Sequence, residues 1–233
     1  MNKNLPEKPK GKVIVIEAPD GSGKKTQAEL LFDRLKKENY SVLKVEFPNY
    51  NSASSSLVKM YLRGEFGENP NDVNPYAASA FYAVDRFASF KKEWQSFYHE
   101  GGIVIADRYT TSNLIHQAVK FKGERAKQEY LDWLYDLEFN RLALPVPDIV
   151  LFLDMPPEFS EKLIADRKNK FTGETKKDIH EINKDYLRES YKNACWIADK
   201  YNWVKIKCVR DCKVISIAEI HEELYNRIKL MLN

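Results

Sequence analysis

A chain of 233 residues that is 43% hydrophobic can bury one sizeable core, so a single domain with a small mobile insertion is expected. Its 37 basic and 34 acidic side chains leave a net charge of +3, too near balance to support broad nucleic-acid binding. No apolar run reaches membrane-spanning length and the start lacks a signal-peptide core, so a soluble, cytoplasmic protein is expected.

Residues 1–11 are polar, carry Pro6 and Pro9, and read as a flexible tail. Four β-branched residues follow, Val13-Ile14-Val15-Ile16, the mark of a buried strand over 12–17. A Gly-rich turn, Asp20-Gly21-Ser22-Gly23, then leads through Lys24 into a helix over 24–38 with Leu30, Leu31 and Leu35 on its apolar face. Strand, Gly-rich turn and helix in that order form a phosphate-cradling loop. Gly21 and Gly23 let the backbone curl so that successive N–H groups face an anion. The positive end of the helix faces the same anion, and Lys24 adds a full charge. Two residues depart from the usual pattern. Ala18 stands where the loop normally opens with glycine, which matters little if its backbone conformation is ordinary. Lys25 stands where a Ser or Thr hydroxyl normally meets Mg²⁺, leaving Thr26 one position late.

Further strands are expected at 41–47, 102–106, 148–154 and 203–207. Between them lie helices at 54–64, 75–99, a pair within 109–140, 157–167 and 182–200, with a last helix at 214–232. Near-continuous Val/Ile/Leu strands separated by helices predict an α/β fold with a parallel sheet covered on both faces. Residues 168–177 are basic, aperiodic and contain Gly173, so they read as an exposed loop. Cys208 and Cys212 are near enough in sequence to pair, but with Cys195 the count is odd, and unlinked thiols suit a reducing compartment better.

Ligands of parallel sheets gather beyond the carboxyl ends of the strands. There the chain places the phosphate loop, then Phe47-Pro48-Asn49-Tyr50, then Asp107-Arg108-Tyr109, then Asp154-Met155-Pro156-Pro157. These groups suit phosphates and Mg²⁺. Tyr82 and Arg86, four apart, share a face of the helix over 75–99. A stacking ring beside a fork of N–H donors suits a pyrimidine with an exposed carbonyl.

Taken in order, the motifs Glu17 to Gln27, Phe47-Pro48-Asn49-Tyr50, Phe81-Tyr82-Ala83-Val84-Asp85-Arg86, Asp107-Arg108-Tyr109 with Ser112, and Leu153 to Glu158 resemble those of thymidylate kinases, a family of P-loop nucleoside-monophosphate kinases. The resemblance runs from about residue 12 to 232. It implies a three-layer P-loop NTPase fold over 12–233, a five-stranded parallel sheet flanked by helices, and a short basic lid at about 167–181. It implies phosphoryl transfer from MgATP to dTMP, giving dTDP and ADP for dTTP synthesis. Asp20, Gly21, Ser22, Gly23, Lys24, Lys25 and Thr26, with Arg167 from the lid, would bind ATP. Asp20, Tyr50, Tyr82, Arg86, Arg108, Asn113, His116 and Gln117 would bind the acceptor. Lys24, Arg108, Arg167 and Asp20 would act in catalysis, and Asp107 and Asp20 would hold Mg²⁺ directly or through water. The lid lysines Lys168, Lys170, Lys176 and Lys177 and the acid Glu181 would close over the nucleotides. The family's usual Phe at the stacking position is Tyr82 here, and His116 replaces a common tyrosine near the sugar's 2′ side, which leaves base and 2′-deoxy preference open. A homodimer is implied, without nucleic-acid or membrane partners. The alternatives are a kinase for another nucleoside monophosphate or a deoxynucleoside, and a non-catalytic nucleotide-binding relative suggested by Ala18 and Lys25.

Overall fold

In the computed structural model, which describes residues 10–170 and 184–232, five parallel strands form one sheet. They are β1 (Lys12–Glu17), β2 (Val42–Glu46), β3 (Ile103–Asp107), β4 (Ile149–Asp154) and β5 (Val204–Lys207), in the order β2-β3-β1-β4-β5. Side chains alternate across each strand, so β1 contributes to two cores at once. Ile14 and Ile16 pack with Leu31 and Leu35 of helix α1 (Lys24–Lys37) on one face. Val13 and Val15 pack with Val104, Phe90, Trp94 and Tyr98 on the other. Helices on both faces force the central strands β1, β3 and β4 to be apolar on both sides, which is why they read as near-continuous Val/Ile/Leu runs. The edge strands β2 and β5 carry lysines.

Strand β1 lies between β3 and β4, pairing Ile16 with Asp107 on one side and with Leu151 on the other. The crossover connections therefore diverge on either side of β1, and a crevice opens at its carboxyl end. Everything after Glu17, Glu46 and Asp107 is delivered to that crevice.

The remaining α-helices among the described residues are α2 (Ser56–Leu62), α3 (Pro75–Ser89), α4 (Gln95–His99), α5 (Thr110–His116), α6 (Glu124–Tyr135), α7 (Pro157–Lys170), α8 (Lys184–Lys200) and α9 (Ile217–Leu232). The helix expected over 75–99 is interrupted by a π turn at Phe90–Trp94. Rings spaced four apart drift round a regular helix, and the wider turn keeps Phe90, Trp94 and Tyr98 on the sheet. A second π turn, Asp136–Arg141, follows α6. The last helix starts at Ile217 rather than 214, because Val209–Arg210 and Lys213–Val214 pair as a two-stranded ribbon (β6, β7). Its turn residues Asp211 and Cys212 have φ of 49° and 57°, the left-handed backbone of a tight hairpin. Cys208 is buried, Cys212 is exposed, and all three cysteines are free.

Helix α7 continues through Lys170, so residues 168–170, expected in a loop, are helical. Lys176, Lys177 and Glu181 lie outside the described residues. On the stretch from α3 into the π turn, Phe90 and Trp94 are buried, while Phe87 and Val84 are 36% and 53% exposed. Among the described residues no helix is long and apolar enough to cross a membrane.

Gly11, assigned to the tail, is already docked: its N–H donates to the Tyr98 carbonyl at 2.8 Å. A Cβ there would sit 2.4 Å from the Gly102 carbonyl oxygen and 2.6 Å from that of Tyr98, both backbone atoms that cannot step aside. Gly11→Ala should therefore lower the unfolding free energy by about 2 kcal/mol or more, as overpacking does, whereas Lys10→Ala at the exposed neighbouring position leaves it unchanged. Urea titration with equal midpoints for the two variants would refute the tight approach.

Candidate active site

The phosphate loop turns on two glycines in left-handed backbone, Gly21 at φ 76° and Gly23 at φ 84°. An added Cβ at Gly23 would meet nothing within 4 Å, so glycine is required there by the backbone angle and not by space. Ala18 is not among the residues with positive φ, and its methyl group is buried, so the missing glycine leaves the loop intact. Lys24 folds back over the loop, and its Nζ donates to the carbonyls of Ala18 and Pro19, each at 3.1 Å. Ser22 Oγ donates to the Pro19 carbonyl at 2.6 Å. Burial lowers the Lys24 pKa, Arg108 adds to that, and the Asp20, Asp107 and Glu17 carboxylates oppose it. Lys25, in the first turn of α1, is exposed, and Thr26 is half-buried.

Arg108 joins this loop to the end of β3. Its backbone is left-handed, with φ 66°, a conformation that costs a non-glycine residue energy and recurs at functional sites. Its Nη2 is paired with Asp20, and its Nη1 reaches Glu17 at 3.1 Å and Ser112 Oγ at 3.2 Å. Glu17 is fully buried and also accepts from Thr111 Oγ1 at 2.9 Å, Ser112 Oγ at 2.6 Å and the Ala18 N–H at 3.0 Å. Burial alone would raise the Asp20 pKa, but Arg108, Lys24 and His116 outweigh it and hold the carboxyl well below the usual carboxylate range. Burial would likewise weaken Arg108's hold on its proton, yet Asp20, Glu17 and Asp107 raise its pKa beyond the ordinary arginine value. Both groups stay ionised throughout the physiological range.

A cleft opens beside the loop. Every residue expected to bind the acceptor lines it: Asp20, Tyr50, Tyr82, Arg86, Arg108, Asn113, His116 and Gln117. Asp20 and Arg108 form its inner end, next to Lys24, and Tyr50 stands half-exposed at the rim. Helix α3 contributes Tyr82 and Arg86, and α5 with the turn after it contributes Asn113, His116 and Gln117. Gln117 is 1% exposed, yet neither its Oε1 nor its Nε2 has a hydrogen-bond partner among the described residues. A buried carboxamide left in that state costs free energy until something fills both of its valences.

Several residues that sequence reasoning gave no role hold the site in shape. Arg86 is buried and its Nε donates to Glu138 Oε2 at 2.7 Å while Nη2 pairs with Glu138 Oε1. Thr110 Oγ1 donates to the same carboxylate at 2.8 Å. Asp85 accepts from the Asn49 N–H at 2.8 Å and from Ser54 Oγ at 2.6 Å, which fixes the turn that carries Tyr50. Tyr186, on α8, donates from its hydroxyl to the His116 carbonyl. Glu17 and Asp85 stood inside motifs and were open to notice; Glu138 and Tyr186 carried no sequence signal. Asp107 ends β3 beside Lys24 and Arg108, with 7% exposure. Arg167 falls in the last turn of α7, whose backbone alone is described there.

Residues 16–210 match the sequence profile of the family described as thymidylate kinase. The probable thymidylate kinase of Thermococcus onnurineus is 32% identical over 213 residues, covering 91% of this chain and 94% of its own. That of Thermococcus gammatolerans is 31% identical over 94% of this chain and 96% of its own. The thymidylate kinase of Plasmodium falciparum is 26% identical over 95% of this chain and 91% of its own.

Behind Tyr82 the wall of the cleft is closed by Tyr61, edge-on to it with ring centroids 6.5 Å apart. Lys120 Nζ donates to the Tyr61 hydroxyl at 3.2 Å and the Val73 carbonyl at 3.3 Å. Burial lowers its pKa to about 8, with Asp72 opposing weakly. Between about pH 8 and 10.5 the unfolded chain holds a proton here that the folded chain has released, so this group makes stability rise with pH across that window. Urea midpoints of wild type and Lys120→Met should therefore diverge in favour of wild type on going from about pH 7.5 to 10. A gap that stays constant with pH would mean that the ammonium is freely hydrated.

Proposed function

The chain belongs to the thymidylate kinase family, and from that premise we propose how its residues divide the work of moving a phosphoryl group from ATP to dTMP. It is a nucleoside-monophosphate kinase, so the acceptor is itself an ionised phosphate and needs no strong base. Positioning and electrostatics supply most of the rate.

The observation that carries the acceptor assignment is the Gln117 carboxamide, buried without a partner among the described residues, in a cleft that also holds Arg86 and Tyr82. A thymine ring offers an N–H flanked by carbonyls, which answers the acceptor and the donor of one carboxamide together. Arg86 can only donate, so it favours a carbonyl and opposes the exocyclic amine of cytosine. Tyr82 supplies a face for stacking. Asn113, His116 and Tyr50 complete the cleft around the base and sugar.

At the inner end, Arg108 holds the acceptor's phosphate. In the present arrangement Asp20 occupies the Nη2 side of that guanidinium while Glu17 holds Nη1. An arriving phosphate would displace Asp20, and Glu17 would keep the guanidinium in register. The released Asp20 carboxylate would then be available to the sugar hydroxyl or to a metal. Lys24, lying on the carbonyls of Ala18 and Pro19, would swing to the β- and γ-phosphates of an ATP seated on the amides of Gly21 to Thr26. Arg167 is assigned as the cation beyond the transferring group, because the phosphate loop has no arginine. Asp20 and Asp107 are hard oxygen donors beside Lys24 and fit Mg²⁺, which takes one or two carboxylates plus phosphates and water. When bound, Mg²⁺ would neutralise charge where the two polyanions meet. Family kinship and the free thiols favour a cytoplasmic enzyme, and the exposed Val84 and Phe87 on α3 favour contact with a second copy.

An ADP-release assay across a panel of nucleoside monophosphates and nucleosides tests the assignment. dTMP should be the preferred acceptor. Lys24→Ala should lower kcat by roughly 10³, in keeping with loss of a cation on a transferring phosphoryl group, while Lys25→Ser should change it by no more than about three-fold, the exposed side chain supplying no comparable stabilisation. Gln117→Leu should raise the KM for dTMP by about ten-fold or more without altering that for ATP. Near-normal turnover by Lys24→Ala, or a wild type that prefers a purine acceptor, would end this reading.

A further inference from the structure

We propose that Glu138 is a positioning residue that aims Arg86 at the acceptor base and so sets the enzyme's discrimination among pyrimidines. The proposal rests on the acceptor reading of the cleft given above.

Arg86 and Glu138 are 52 residues apart in sequence and are 1% and 0% exposed. Two parallel contacts join them, Nε to Oε2 and Nη2 to Oε1, the fork-to-fork arrangement that fixes the plane of a guanidinium as well as its position. Thr110 Oγ1 adds a third hydrogen bond to the carboxylate. With Nε and one N–H of Nη2 engaged by Glu138, and one N–H of Nη1 donated to the Tyr109 carbonyl at 3.4 Å, Arg86 retains one N–H on each terminal nitrogen for the cleft that it lines. A guanidinium held this way presents donors in one direction only. Freed from Glu138, the same long side chain could rotate and meet a base in several ways.

Stability does not explain the pair. Removing two charges from water is costly, and well-packed apolar residues often do as well or better in their place. The local backbone points the same way. Glu138 lies within the π turn Asp136–Arg141, in which Asp136 binds Asn140 and Arg141 on the exposed side while Glu138 alone is buried. Such single-turn widenings of a helix concentrate at functional sites. Here the widened turn carries one carboxylate inward to the back of an arginine whose front lines the cleft.

The test is steady-state kinetics of the full chain with dTMP and dCMP, for wild type, Glu138→Gln and Thr110→Val. Glu138→Gln keeps the shape but removes the charge and one of the two acceptors. It should raise the KM for dTMP about ten-fold and leave that for ATP within about two-fold, and it should lower the dTMP:dCMP ratio of kcat/KM by about ten-fold. Thr110→Val loosens the carboxylate without uncovering a charge, so smaller shifts of about two- to five-fold in the same directions are expected. It also stands in if Glu138→Gln does not fold. Wild-type base discrimination in folded Glu138→Gln, or equal rises in both KM values, overturns the proposal while leaving the acceptor reading in place. A wild type that phosphorylates no pyrimidine monophosphate removes the acceptor reading itself, and this inference with it.

Discussion

Two buried carboxylates organise this molecule. Glu17 grips Arg108 and Glu138 grips Arg86, and both arginines line the same cleft. Breaking either pair by removing one partner would leave an uncompensated charge in a low-dielectric interior, an expense of about 3–5 kcal/mol. That penalty is what makes the pairs good rulers. An arginine on a flexible stem becomes a group of fixed direction when every alternative position strands a charge. The sheet makes the arrangement possible, since Glu17 ends β1 and Arg108 follows β3, its immediate neighbour.

The phosphate loop shows the complementary behaviour. Its cations are engaged, but with replaceable partners: Lys24 with two backbone carbonyls, and one side of Arg108 with Asp20. Asp20 is 31% exposed in its side chain, against none for Glu17, so water and a phosphate can compete for the first contact and not for the second. The site therefore combines a rigid back with an exchangeable front. A polyanion entering such a site finds charges already in place and need reorganise little to meet them.

Much of this was legible from residues alone, and the reason is local. The strand–glycine–lysine–helix run of Val13 to Leu35 specifies its own geometry, because left-handed glycines and a helix N-terminus make the same cradle wherever they occur. The three central strands follow equally from near-unbroken Val/Ile/Leu runs that only a doubly covered sheet accommodates, while the edge strands β2 and β5 alternate apolar residues with lysine. What escaped was non-local or positional. Glu138 is one acid among 34 in the chain, and only the folded helix pair reveals that it faces Arg86. The π turns escaped because nothing in the spacing of Phe90, Trp94 and Tyr98 distinguishes a widened turn from a regular one. The β6–β7 ribbon escaped because its strands are two residues each, and Asp211-Cys212 is an unusual pair for a left-handed turn. Helix α7 runs three residues past its expected end because a basic stretch can extend a helix as readily as end one.

At the start of α5, three adjacent hydroxyls are shared out between the two clamps: Thr110 serves Glu138, while Thr111 and Ser112 serve Glu17. The part of the enzyme proposed to tell bases apart and the part proposed to grip phosphate are thereby stitched through one peptide segment. Substitutions on either side would show epistasis, each altering the background against which the other is felt. A lineage drifting toward a new base would have to alter this stretch without loosening its hold on the phosphate common to all nucleotides, a narrow route through sequence space.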